Sequence, residues 1–190
     1  MKKTMPISVF DSGLGGLTVV RAIRKALPSE TIVYFGDTAR VPYGNKSTDT
    51  VREYSLEIAD FLLSKNAKIL VIACNTASAL AINILRDKLS IPVIGVIEPG
   101  VSTAVNTTAN GNVGVIGTIS TINSNAYQSS LEKHKNISKV VAQPCPLFVP
   151  LVEEGWVNNK ITRMVSKQYL TPLNKEEIDT LILGCTHYPL

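Results

Sequence analysis

The chain predicts an α/β fold of two pseudo-symmetric halves, each built on a parallel sheet, and the evidence for it is in the residues themselves. Short runs rich in Ile, Val and Leu alternate with longer amphipathic stretches, as strands alternate with helices that cover both faces of a sheet. Two of the strand ends carry related clusters, Ala73-Cys74-Asn75-Thr76 and Gly184-Cys185-Thr186-His187. Composition allows a packed core: of 190 residues 45% are hydrophobic and 18% charged, which excludes collagen-like, coiled-coil and disordered classes.

In chain order, an apolar run over 7–10 ends at Asp11 and predicts the first strand, and a Gly-rich turn leads to a helix over 17–26. A second strand over 31–35 precedes the loop Asp37-Thr38-Ala39-Arg40-Val41-Pro42-Tyr43-Gly44. The next helix, over 48–65, keeps Val51, Tyr54, Ile58, Phe61 and Leu62 at roughly helical spacing. Strands follow over 69–73, 93–96, 113–116, 139–142 and 181–183, with helices over 77–88 and around 123–133. The segment Glu98-Pro99-Gly100 reads as a hinge, dividing the chain into 1–98 and 99–190. Asp11 and Thr118 each follow a first strand, and Cys74 and Cys185 each follow a third. The chain therefore reads as two similar three-strand halves.

Lys and Arg number 19 against 15 Asp and Glu, a net charge of +4. With no basic block and no interleaved aromatics, that charge points to solubility and to no nucleic-acid partner. Cys74, Cys145 and Cys185 are too few and too widely spaced for a disulfide framework or a metal knuckle, so they read as free thiols in a reducing, cytoplasmic setting with no bound metal. Met1-Lys2-Lys3 begins like a leader, but Pro6 and Ser8 interrupt the apolar run and Asp11 ends it. No apolar stretch approaches the ~20 residues of a spanning helix, so no membrane association is expected.

In a parallel sheet, ligands sit beyond the carboxyl ends of the strands, where the polar clusters fall. Cys74 and Cys185 each end an apolar run at a strand-to-helix turn. Backbone N–H groups and the positive helix end are expected there to favour a thiolate, and with Asn75, Thr76 and Thr186 to hold a carboxylate. The alternative for each is a small buried hydrophobe. Two thiols facing one cleft suit a reaction in which one lifts a proton from a carbon and the other returns one to the opposite face.

Asp11-Ser12-Gly13-Leu14-Gly15-Gly16 lacks both the third glycine of a dinucleotide fingerprint and the Gly-Lys-Ser/Thr of a P-loop. Its glycines serve a tight turn, or else Asp11 holds a substrate ammonium or orients a thiol, with Ser12 as a donor. Pro42-Tyr43-Gly44 is either a rigid loop or, through the Gly44 N–H, a second carboxylate site. His187 is placed to orient Cys185 or relay its proton, whereas His134 lies between lysines and reads as surface. Glu153 and Glu154 form a solvated pair, or one of them is the counterpart of Asp11. Cys145, between two prolines, reads as structural.

Together these segments resemble glutamate racemase of the cofactor-independent aspartate/glutamate racemase family. The resemblance rests on residues 10–17, on Tyr34-Phe35-Gly36-Asp37 with Pro42-Tyr43-Gly44, on Ala73 through Ser78, on Gly114 through Thr118, on Pro150 through Gly155, and on Gly184 through Pro189, all in the family's order. It implies two-thiol racemisation of L- and D-glutamate, supplying D-glutamate for peptidoglycan, with no cofactor and no metal. It implies Cys74 as the acid/base for D-glutamate and Cys185 for L-glutamate, with Asp11, Glu153 and His187 assisting. Asp11, Ser12, Pro42, Tyr43, Gly44, Asn75, Thr76, Thr186 and His187 would contact the substrate. Members of that family often associate, so a homodimer is among the expected partners. Family members also continue several tens of residues past Tyr188-Pro189-Leu190. A chain that only binds a dicarboxylate or a partner is therefore one alternative, and aspartate racemase is another.

Overall fold

Both sheets of the computed structural model, which describes residues 4–189, are parallel throughout. Met1-Lys2-Lys3, the leader-like start, and Leu190 lie outside the described residues. The chain divides into two compact units, Met1–Val96 and Ile97–Leu190.

The first unit orders its strands β2-β1-β3-β4, with β1 at Ile7–Asp11, β2 at Ile32–Gly36, β3 at Ile69–Ile72 and β4 at Val93–Gly95. Each crossover carries a helix: α1 at Leu17–Ala26, α2 at Thr48–Ser64 and α3 at Asn75–Lys88. Side chains alternate across a strand, so Val9 and Phe10 serve opposite faces. Val9 packs with Val71 and the α1 residues Val19, Val20 and Ile23. Phe10 packs with Val51, Ile58 and Leu62 of α2 and with Ala77, Ala81 and Leu85 of α3. All five residues of β1 are buried, which is why this strand reads as an unbroken apolar run. Each fully buried aliphatic or aromatic side chain contributes about 1.5–3 kcal/mol.

The second unit orders its strands β6-β5-β7, with β5 at Asn112–Gly117, β6 at Lys139–Pro144 and β7 at Thr180–Gly184. Its helices are α4 at Ile97–Thr107, α5 at Ile119–Asn123, α6 at Ala126–Leu131, α7 at Phe148–Glu153 and α8 at Lys160–Asn174. Polar side chains start three of the helices in the molecule in the same way. Ser47 accepts from the Thr50 N–H at α2, Thr118 from the Thr121 N–H at α5, and Asn159 from the Thr162 N–H at α8.

The structure corrects the sequence reading at several points. The first unit has four strands, since β4 joins its sheet. Glu98-Pro99-Gly100 lies in the first turn of α4, directly after the division between the two units; a proline is tolerated there because that turn's N–H groups have no partner within the helix. Gly100 leaves room for the ring of Tyr127, whose nearest atom would lie 3.4 Å from an added Cβ. The helix expected around 123–133 is two short ones, broken where Asn125 takes the left-handed conformation at φ 56°. Three helices were not expected: α4, where Pro99 and Gly100 suggest a break; α7, among Pro144, Pro146 and Pro150; and α8, although Ile161, Met164, Val165, Tyr169 and Leu173 keep helical spacing.

Register also changes which residues correspond. Phe10 pairs with Ile72 in the first sheet, and Gly117 with Gly184 in the second. Cys74 is therefore level with Ser12, and Cys185 with Thr118. The counterpart of Asp11 is Gly117 rather than Thr118.

Candidate active site

At the carboxyl edge of the first sheet, Cys74 follows β3 and caps α3, its Sγ accepting the Ala77 N–H at 3.4 Å. The thiol is 4% exposed and donates to Ser12 Oγ at 3.6 Å. Burial, and after it the charge of Asp11, push the Cys74 thiol up to about 11. The N–H of Ala77 and the contacts with Ser12 pull the other way and are outweighed. The expectation that the helix end would favour a thiolate is thus corrected: the resting group is a thiol. When it ionises, the Ser12 hydroxyl turns from acceptor to donor.

Asp11, fully buried, explains the glycine-rich turn. Its Oδ2 accepts the N–H of Gly13 at 3.1 Å and of Gly16 at 3.0 Å. A Cβ on Gly16 would stand 2.5 Å from the Asp11 Cβ, so only glycine lets the chain fold back this closely. Tyr34 fixes the same turn from β2, donating its hydroxyl to the Gly13 carbonyl at 2.6 Å. The loop is thus a tight turn wound around the Asp11 carboxylate, whose charge reaches Cys74.

Pro42 leads into a 3₁₀ turn over Tyr43–Asn45, and the Tyr43 ring is buried, its hydroxyl donating to Asp37 Oδ2. Arg40 donates to the same carboxylate at 2.7 Å and to Glu57 at 2.5 Å, and its guanidinium lies 4.0 Å over the Tyr54 ring. The charge on Cys74 helps raise the Tyr43 phenol, after burial and Asp37, so loop and thiol share one electrostatic neighbourhood. Asn75 and Thr76 are buried in the first turn of α3. The Asp37–Arg40–Glu57 ion pairs were missed from the sequence; only the Asp37, Arg40 spacing hinted at them.

At the carboxyl edge of the second sheet, Cys185, Thr186 and His187 are buried directly after β7. His187 Nδ1 lies 3.7 Å from Cys185 Sγ, and His187 Nε2 lies 2.5 Å from Glu153 Oε1 at the end of α7. A carboxylate only accepts, so Nε2 donates in this contact; toward Cys185, Nδ1 accepts from the thiol when the ring is neutral and donates to the thiolate when the ring is charged. Glu153, not Glu154, makes this contact. Thr118, level with Cys185, is engaged in capping α5. His134 is exposed. Cys145 is fully buried, donates to the Gln143 carbonyl at 3.6 Å, and is pushed up to about 12 by burial. Among the described residues no three His, Cys, Asp or Glu side chains are grouped to hold a metal ion, and no helix is long and apolar enough to cross a membrane.

The structure thus brings together Asp11, Ser12, Cys74 and Tyr43 in one unit, and Glu153, Cys185 and His187 in the other. Each cluster pairs a thiol with a hydrogen-bonding partner and a carboxylate, the equipment for moving a proton.

The model of the Asp/Glu/Hydantoin racemase family matches residues 16–190. The glutamate racemase of Geobacter metallireducens is 56% identical over 184 residues, 97% of this chain and 68% of that protein. The crystal structure of glutamate racemase from Francisella tularensis in complex with D-glutamate superposes with a TM-score of 0.92 at 47% identity, covering 99% of this chain and 71% of that one. Picrophilus torridus aspartate racemase shares the fold, with a TM-score of 0.70 at 18% identity over 97% of this chain and 82% of its own. Likeness along nearly its whole length, together with the two thiol clusters, shows that the chain belongs to the Asp/Glu/Hydantoin racemase family.

Proposed function

We infer that this chain interconverts L- and D-glutamate by moving the α-proton between two thiols, Cys185 serving the L enantiomer and Cys74 the D enantiomer. The observation that carries the reading is the matched register: each sheet presents one buried cysteine at the same level of its carboxyl edge, each with its own hydrogen-bonded helper. Family membership and 56% identity to a glutamate racemase favour glutamate over aspartate.

In the L to D direction, Cys185 gives its proton to His187 Nδ1, whose imidazolium Glu153 stabilises through Nε2. The resulting thiolate takes the α-proton. A thiol at Cys74 then donates to the opposite face, and the reverse direction exchanges the roles. Asp11 would face the substrate ammonium, whose charge offsets the field that helps hold Cys74 protonated, so binding itself eases thiolate formation. Backbone and side-chain donors at Ser12, Gly44, Asn75, Thr76 and Thr186 would hold the carboxylates, with Pro42 and Tyr43 shaping the pocket wall. No cofactor enters this scheme. The reading places the protein in the cytoplasm, supplying D-glutamate for peptidoglycan, with a homodimer as the proposed assembly.

Circular dichroism of L-glutamate incubated with the chain in deuterated water tests this. Loss of optical activity with deuterium at the α-carbon is expected, abolished in Cys74→Ala and in Cys185→Ala. Turnover unchanged in either variant refutes the two-thiol scheme, and binding without turnover would make the chain a dicarboxylate binder instead.

A further inference from the structure

We propose that Tyr188 is a positioning residue that sets the bond between Glu153 and His187, and through it the proton relay at Cys185; this rests on the acid/base reading of that cluster. Glu153 sits at the end of α7 with its side chain 47% exposed, on a helix of six residues. A short helix and a half-exposed carboxylate do not fix a hydrogen bond by themselves. Two contacts supply what they lack, and both come from the residue next to His187.

The Tyr188 hydroxyl donates to the Cys145 carbonyl at 2.9 Å, three residues before α7 begins. Its ring meets the edge of Phe148, the first residue of α7, at 5.2 Å and 87°. Phe148 meets Tyr169 of α8 in the same edge-on manner at 5.3 Å. Phe148 is thus wedged between two rings, and the start of α7 is tied to the turn that carries Cys185 and His187. The Tyr188 N–H donates to the Cys185 carbonyl at 3.2 Å, so that turn is itself closed. Edge-on ring pairs and a satisfied hydroxyl are directional, unlike simple apolar contact. They set where the far end of α7 delivers its carboxylate.

Tyr188→Phe removes only the hydroxyl. With two histidines in the chain, the ring nitrogen resonances of His187 are read directly by 15N NMR. The expected result is that the His187 signals move away from the single Nε2–H tautomer toward a mixture, with far-ultraviolet circular dichroism unchanged. In turnover, loss of a positioning hydrogen bond is expected to lower kcat by about three- to tenfold. The isotope effect on kcat/KM should rise for L-glutamate deuterated at the α-carbon and fall for the deuterated D enantiomer, because only the step at Cys185 has slowed. Phe148→Leu, which keeps an apolar side chain and deletes both ring contacts, should shift the NMR signals and isotope effects in the same directions. A merely structural role would alter both isotope effects alike or neither. Unchanged His187 resonances in both variants, or isotope effects that move together, overturn the proposal. If the parent protein does not turn glutamate over while the resonances shift as expected, the racemase reading fails and the positioning role stands.

Discussion

Cys74 offers the sharpest test of how burial and charge compete at this site. Its thiol is raised from an ordinary 9.0 to about 11, burial acting first and the Asp11 charge second, against the N–H of Ala77. Two units correspond to about 3 kcal/mol. At pH 8 the thiolate population is then roughly a hundredfold below that of an ordinary thiol. Pulsed alkylation with iodoacetamide between pH 7 and 12, followed by peptide mass mapping, separates Cys74 from Cys145 and Cys185. The rate at Cys74 should rise with a midpoint near 11, and Cys145 should lag further, toward about 12. Asp11→Asn keeps a carbonyl oxygen for the N–H groups of Gly13 and Gly16 and removes the charge. The Cys74 midpoint should then fall but stay above 9.0, since burial is the larger cause. A midpoint at or below 9.0 in the parent would mean that the helix end outweighs burial, and an upward shift in the variant would remove Asp11 from the account.

Gly36→Ala would place a Cβ 2.4 Å from the Gly13 carbonyl oxygen and should lower stability by about 1–3 kcal/mol in urea titrations; an unchanged midpoint would contradict the packing described for the turn. Arg40→Met releases Asp37 and Glu57 and loosens the Tyr43 loop, so KM for glutamate should rise about three- to tenfold with a smaller change in kcat; a loss confined to kcat would exclude a binding role for the loop. Asp179 is held down to about 2, chiefly by the Thr108 hydroxyl and the Asn110 N–H. A depressed folded value stabilises above the ordinary 3.8 and loses that effect as pH falls through 2, so parent and Asp179→Asn should differ in melting temperature above pH 4 and converge below 2.

The seven strands were legible because strands buried on both faces carry continuous apolar runs, and β1 and β3 show this plainly. Helices α1 to α3 announced themselves by apolar spacing; α8 has the same spacing at Ile161, Met164, Val165, Tyr169 and Leu173, so it too was open to a sequence reading. The thiols were legible for a related reason: a cysteine followed by Asn or Thr marks where an apolar strand meets the polar edge of a sheet. What stayed hidden lies far apart in the chain. The resemblance names both Glu153 and His187, but their hydrogen bond joins residues 34 positions apart, as that of Arg40 and Glu57 joins residues 17 apart, and no local pattern links either pair. The protonation of Cys74 was misjudged because helix-end N–H groups can be read from neighbours, whereas burial is a property of the packed unit.

Equal register has not produced equal chemistry. Ser12 faces Cys74 directly, but Thr118, at the same level of the second sheet, caps α5. The place of Asp11 is taken by Gly117, where a Cβ would come within 3.2 Å of Ile122 and 3.3 Å of the Gly184 carbonyl oxygen, so a side chain there would crowd both. The second unit therefore brings its carboxylate from α7 and passes its influence through an imidazole. One thiol feels a charge directly, and the other, in the proposed scheme, is served by a relay that can itself carry a proton. Mirror-image solutes have equal free energy in water, so a glutamate racemase must keep kcat/KM the same in both directions whatever its helpers are. The inequality of the two helpers can then appear only in the separate values of kcat and KM and in the isotope effects. Those quantities, rather than overall efficiency, are where the difference between the two units becomes measurable.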